Sequence, residues 1–210
     1  MHHDVNLAAA MAICPLVAIL RGVRPDEVVA IADVLVDEGF AMIEVPLNSP
    51  DPLTSIAAIA RRYAAPVLVG AGTVLTVGQV EQVGATGARL IVSPNTDVGV
   101  IRATAAAGLV SLPGYFTITE AVTALAAGAS GLKLFPTEAA TPTVLKAHRA
   151  VLPNEIPVLA VGGITPDTMT AWRQAGAQGF GLGSALYAPR ATPDEVRANA
   201  RRYVMALGKD

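Results

Sequence analysis

Ala41-Met42-Ile43-Glu44-Val45-Pro46-Leu47 and Val67-Leu68-Val69-Gly70-Ala71-Gly72-Thr73 are two short apolar runs, and the residues between them, Pro52 to Tyr63, read as a helix. Each run is too short for a buried helix and is apolar on both alternating faces. That is the pattern of a parallel strand covered on both sides. Six more runs of this kind flank the pair: Leu16–Arg21, Leu90–Asn95, Leu109–Tyr115, Gly131–Pro136, Val158–Ile164 and Gly179–Leu186. Successive runs begin roughly 20 to 27 residues apart, about one strand–helix unit each. The stretches between them are helix-like: Asp26–Asp37, Val77–Val83, Asp97–Ala107, Thr119–Ala127, Pro142–Val151, Pro166–Ala175 and Pro193–Leu207. Pro, Asp or Thr opens most of these stretches and Gly follows several of them, as helix capping favours.

Eight strands alternating with eight helices predict an α/β fold, a single (β/α)8 TIM barrel over residues 1–210, with an extra N-terminal helix near Asn6–Ile13. A doubly wound open sheet is the alternative. It usually carries a glycine-rich turn after its first strand, and Leu20-Arg21-Gly22-Val23 is not one.

Composition narrows the functional classes. Of 210 residues 52% are hydrophobic and 15% charged, which suits one well-buried domain and argues against disorder. Aromatics are only 4%, so the core rests on Ala, Val, Ile and Leu. The net charge is −2, and no basic stripe with interleaved aromatics occurs, so nucleic acid is not an expected partner. No apolar run reaches the roughly 20 residues of a membrane span. Met1-His2-His3-Asp4 lacks the basic start of a signal peptide. The one cysteine, Cys14, cannot form an internal disulfide, and a cytoplasmic location is expected. The histidines are His2, His3 and His148, too few for a zinc site of His and Cys ligands, so no metal is expected.

Charges inside the strand-like runs carry the chemistry. Lys133 lies mid-run in Gly131-Leu132-Lys133-Leu134-Phe135-Pro136. A buried ammonium needs a partner or must lose its proton, and a lysine of lowered pKa attacks carbonyls. Glu44, in Met42-Ile43-Glu44-Val45-Pro46, is the natural partner and a candidate general acid and base. The plain structural reading of both residues is an ion pair inside the barrel. Arg21 ends the first run, where its planar fork suits a carboxylate or phosphate, or a neighbouring acid. Val161-Gly162-Gly163-Ile164 and Gly181-Leu182-Gly183-Ser184 follow the seventh and eighth runs, where barrels often bind phosphate through backbone N–H groups; tight strand-end packing is the other reason for glycine there. Thr73 follows a third glycine-rich stretch and would bond a carboxylate or cap the next helix. Tyr115 and Phe116 are candidates for the site's mouth or for packing, and His148 is expected to be solvated.

Ile43-Glu44-Val45-Pro46-Leu47-Asn48-Ser49, Val69-Gly70-Ala71-Gly72-Thr73-Val74, Ile91-Val92-Ser93-Pro94-Asn95, Pro113-Gly114, Leu132-Lys133-Leu134-Phe135-Pro136 and Val161-Gly162-Gly163-Ile164 stand in this order along the chain. Together they resemble the family of 2-keto-3-deoxy-6-phosphogluconate and 4-hydroxy-2-oxoglutarate aldolases, over about residues 15 to 190. The resemblance implies a class I aldolase on a (β/α)8 barrel, with no metal or other cofactor, commonly a homotrimer acting on a sugar-acid phosphate. Lys133 matches the family's Schiff-base lysine and Glu44 its general acid/base. Thr73 and Arg21 match positions near the pyruvate portion of the substrate. Gly162, Gly163, Gly183 and Ser184 match the phosphate-binding turns. Asn48, where the phosphogluconate branch often has a basic residue, and Val161, where it typically has Thr, are like the 2-dehydro-3-deoxy-6-phosphogalactonate branch. The two substrates are epimers at C4, and a hydroxyl at position 161 would bond one of them while Val cannot. Phosphogluconate or 4-hydroxy-2-oxoglutarate cleavage is the alternative within the family. Outside it stand a sugar-phosphate isomerase or epimerase, which needs no imine, and a phosphate-binding barrel without catalysis.

Overall fold

The structure is a computed structural model and describes residues 5–208, with the side chain of Val5 excepted. His2, His3 and the rest of Met1–Asp4 lie outside the described residues, as do Lys209 and Asp210. The element order is α1 (Val5–Ile13), β1 (Leu16–Ile19), α2 (Val28–Asp37), β2 (Met42–Pro46), α3 (Pro52–Arg62), β3 (Leu68–Gly72), α4 (Val77–Ala85), β4 (Leu90–Val92), α5 (Val98–Ala106), β5 (Val110–Leu112), β6 (Gly114–Tyr115), α6 (Ile118–Ala127), β7 (Leu132–Leu134), a 3-10 turn at Thr137–Ala139, α7 (Pro142–Arg149), β8 (Val158–Val161), α8 (Pro166–Gln174), β9 (Gly179–Leu182) and α9 (Pro193–Leu207).

The strands form one parallel sheet in the order β5-β4-β3-β2-β1-β9-β8-β7-β6. Its two end strands, β5 and β6, are separated by Pro113 alone, so the sheet curls into a nearly closed α/β barrel. The run Leu109–Tyr115 therefore divides in two. Proline has no N–H to donate and interrupts the ladder there, while its carbonyl still accepts from the Lys133 N–H at 2.9 Å.

Apolar side chains fill two layers. Val17, Ile19, Met42, Leu68, Leu90, Val92, Val110, Leu112, Leu159 and Val161 pack inside the barrel, together with Leu7 and Ala10 of α1. That helix covers the end where the strands begin. The larger layer lies between sheet and helices, with Leu16, Ile31, Leu35, Ile43, Ile56, Ile101, Leu132 and Trp172 among its members. Burying each such aliphatic side chain favours folding by about 1.5–3 kcal/mol.

Helix starts follow the sequence chemistry. Thr76, Thr117 and Thr192 each cap a helix in a reciprocal box with Gln79, Glu120 and Glu195, and Asp97 caps α5. Asp26 and Glu27 stand just ahead of α2, which begins at Val28 with Glu27 as its N-cap, but the Glu27 side chain does not cap the helix. They are drawn into the preceding turn: Asp26 pairs with Arg24 at 3.0 Å, and Glu27 accepts from the Arg24 N–H and from the Tyr187 hydroxyl, each at 3.0 Å. Among the described residues no helix is long and apolar enough to cross a membrane.

Candidate active site

Glu44 is the middle residue of β2, paired in register with Ile19 of β1 and Gly70 of β3. Lys133 is the middle residue of β7, beside Gly114 and Leu159. Both point into the barrel, where they line one cavity with Val17, Ile19, Leu159, Val161 and other apolar residues. Glu44 is 2% exposed and Lys133 8%.

Burial sets the protonation of both. It pushes the Glu44 carboxyl up to about 7, against the opposing pull of Lys133 and Arg21. It pushes the Lys133 ammonium below its ordinary range. The Glu44 charge opposes this shift and the Arg21 charge adds to it. The two groups feel each other without forming an ion pair within 4.0 Å, so the structural ion pair considered for them is not made. Lys133 Nζ stands over the Phe135 ring, 4.6 Å from its centroid. Glu44 Oε2 is buried and accepts no hydrogen bond among the described residues.

Gly72 explains the space around Glu44. A Cβ at Gly72 would run into the Glu44 carboxylate, and one at Gly70 into the carbonyl of Leu90. Both glycines lie within β3, so this stretch is strand, and the rim begins only at Thr73. Thr73 is half-buried, in a left-handed conformation at φ 58°. The helix-capping role considered for it belongs instead to Thr76.

Four remaining candidates follow β8 and β9, which pair through Val161 and Gly181. Gly162 and Gly163 take φ of 116° and 61°, a turn that only glycine enters readily. The hydroxyl of Thr137 donates to the Gly162 carbonyl and ties this turn to the chain leaving β7. Gly183 accepts from the N–H groups of Leu186 and Tyr187, and Ser184 is exposed. Arg21, also exposed, follows β1 closely, and its Nη1 donates to Asn48 Oδ1 at 2.6 Å. All of these positions lie beyond the ends of parallel strands and therefore gather on one side of the barrel.

The structure chooses between the two readings left open for Tyr115 and changes the expectation for His148. Tyr115 is 2% exposed and packs near His148, ring centroids 5.7 Å apart, so it is a core residue; Phe116, 38% exposed, stands outside. His148 is half-buried with a buried Nδ1, and burial lowers its pKa. Sequence reasoning also missed Glu138, whose carboxylate lies where a Cβ on Gly162 would be. Glu138 sits in a 3-10 turn, which leaves no periodic signal.

Residues 7–197 match the family model described as "KDPG and KHG aldolase". The chain belongs to the KDPG and KHG aldolase family. It is 48% identical over 186 residues to a Rhizobium meliloti (strain 1021) protein named "Probable 2-dehydro-3-deoxy-6-phosphogalactonate aldolase", covering 89% of this chain and 88% of that one. It is 46% identical over 192 residues to the 2-dehydro-3-deoxy-6-phosphogalactonate aldolase of Escherichia coli (strain K12), covering 91% and 94%. The solved structure described as "Native KDPGal structure" superposes with a TM-score of 0.91 at 46% identity, covering 93% of this chain and 95% of that one.

Proposed function

We propose that this chain is a class I aldolase that reversibly cleaves 2-dehydro-3-deoxy-6-phospho-D-galactonate to pyruvate and D-glyceraldehyde 3-phosphate. The observation that carries this reading is the buried Lys133–Glu44 pair. The lysine is pushed toward its neutral, nucleophilic form and the carboxyl sits near neutrality, ready to take and return a proton. The similarity to phosphogalactonate aldolases supports the choice of epimer, and so does Val161, an apolar wall at the position where, by the family resemblance, the phosphogluconate branch typically has Thr.

In this mechanism neutral Lys133 Nζ adds to the C2 ketone, and loss of water gives an iminium. Glu44, directly or through a water, takes the C4 hydroxyl proton. The C3–C4 bond breaks, its electrons pass to the iminium, and D-glyceraldehyde 3-phosphate leaves. The remaining enamine takes a proton at C3, and water then frees pyruvate and the lysine. Arg21 and Thr73 hold the carboxylate end. The turns at Gly162-Gly163 and Gly183-Ser184 hold the phosphate and so fix the chain for bond breaking.

Three structural readings belong with this function. β5 and β6 act as two halves of one strand, making the barrel a (β/α)8 barrel with α1 as its extra helix, and residues 1–210 form one catalytic domain. The chain works as a homotrimer, as the family resemblance implies, with exposed Leu75, Val77 and Phe116 as apolar surface available for contact. It acts in the cytoplasm, where its phosphorylated substrate would be retained.

Borohydride reduction in the presence of pyruvate, followed by peptide mass spectrometry, tests the chemistry. A reduced pyruvyl adduct on Lys133 alone is expected. Folded protein that forms no adduct at saturating pyruvate would return the isomerase and binding-barrel readings. Turnover of the two C4 epimers side by side tests the substrate, and sedimentation equilibrium tests the trimer.

A further inference from the structure

The sheet ends at Ile19 and Pro46, yet the chains leaving β1 and β2 stay joined. The N–H of Leu20 donates to the Glu44 carbonyl at 2.9 Å, Arg21 Nη1 donates to Asn48 Oδ1 at 2.6 Å, and the N–H of Gly22 donates to Ser49 Oγ at 2.9 Å. Three consecutive residues after β1 thus bond to the β2 chain and its loop, and the outermost acceptor, Ser49, is buried. Arg21 would otherwise be a long exposed side chain with many rotamers.

We propose that Asn48 is a positioning residue that holds the Arg21 guanidinium in place for the substrate's carboxylate end; this rests on the reading of Arg21 as a carboxylate anchor. The amide oxygen takes one of five guanidinium N–H donors and leaves others for a carboxylate. It is neutral, so it orders the arginine without cancelling its charge, as an aspartate would. Holding the group in advance removes an ordering cost from binding. The charged groups acting on Glu44 are Lys133 and Arg21, and those acting on Lys133 are Glu44 and Arg21. A displaced Arg21 would therefore also alter the titration of the pair.

Borohydride trapping with pyruvate as the probe, in wild type, Asn48→Ala, Arg21→Ala and the double variant, tests this. In Asn48→Ala the pyruvate concentration for half-maximal adduct is expected to rise about tenfold, with the maximal adduct on Lys133 unchanged. In the Arg21→Ala background the same change should have almost no effect, because Asn48 acts through Arg21. The acid limb of the kcat/KM profile should move to higher pH in Asn48→Ala, as Glu44 loses part of the Arg21 field. A full Asn48→Ala effect in the Arg21→Ala background, or an unchanged half-saturation in Asn48→Ala, would overturn the proposal while leaving the aldolase reading intact. A wild type that traps no pyruvate would overturn both.

Discussion

The inside of the barrel and its rim solve different problems with different parts of the chain. Inside, Glu44 and Lys133 are almost fully buried, and burial moves the pKa of each toward its neutral form. On the rim, Arg21, Gly163 and Ser184 are exposed, and the use proposed for them is geometric: a guanidinium held by an amide, left-handed backbone, a hydroxyl beside a turn. Proton transfer and imine formation need altered acidity, which requires a dry site. Holding a phosphate needs donors in fixed places, and these work in contact with water. Changes inside should therefore act on kcat and on stability against pH, changes at the glycine turns on KM for phosphorylated substrates, and changes at Arg21 and Asn48 on the binding of pyruvate.

Lys133→Ala gives the largest expected effect, a loss of turnover on the order of 10⁵-fold with no pyruvate adduct. Lys133→Met should also lose turnover yet melt at a higher temperature than wild type at neutral pH, because it removes an ammonium that burial disfavours. A melting temperature below wild type would show that the lysine contributes to stability after all. Glu44→Gln should slow turnover by about 10²–10⁴-fold while still trapping pyruvate, and the acid limb near pH 7 should vanish from its rate profile.

Glu44 also has a stability signature. Its folded pKa, about 7, lies above the ordinary carboxyl value of 4.5, so the folded chain holds this proton after the unfolded chain has released it. Its contribution to stability is fully present below pH 4.5 and is lost as pH rises to about 7. Relative to Glu44→Gln, wild type should lose on the order of 3 kcal/mol across that window in chemical denaturation. A flat difference would mean that the carboxyl is better solvated than its burial implies.

The same contrast decides what was legible in the sequence. Alternating apolar runs and helix signals mark the barrel because every strand must be covered on both sides. Lys133 and Glu44 stand out because a charge inside such a run is costly. Rim contacts leave weaker traces. Asn48 is one polar residue in a loop until the fold brings it to Arg21, 27 positions away. Gly72 reads only as part of a glycine-rich stretch, and the structure gives its reason, the Glu44 carboxylate beside it. The break at Pro113 within Leu109–Tyr115 is open to reading, since proline cannot donate to a ladder, but the largely apolar run outweighs it. Glu27 stands at the start of α2 as its N-cap, but the partners of Asp26 and Glu27, Arg24 and above all Tyr187, are matters of turn and tertiary geometry that the sequence does not show.

Val161 lies on the boundary between the two regions, 6% exposed, lining the same cavity as Lys133 and immediately before the glycine turn. Val161→Thr keeps the shape and adds one hydroxyl. The ratio of kcat/KM values for the two C4 epimers should shift about tenfold toward the phosphogluconate form, since an apolar wall rejects either epimer only weakly. Stability should fall by about 1–3 kcal/mol if the hydroxyl finds no partner in the free protein. An unchanged epimer ratio would move the discrimination away from this position.

Ser184→Ala should have the smallest effect. The side chain is exposed, so water can replace its hydroxyl at the phosphate, and one such hydrogen bond contributes only about 0.5–1.5 kcal/mol. KM for the phosphorylated substrate should rise a few-fold, while kcat and the half-saturating pyruvate concentration for trapping stay at wild-type values. Pyruvate carries no phosphate and, in the proposed site, does not reach that turn. The pyruvate result is the sharper half of the test: a change there would mean that the turn after β9, like Arg21, is coupled to the interior and shapes the lysine's surroundings as well as holding the distal end of the substrate.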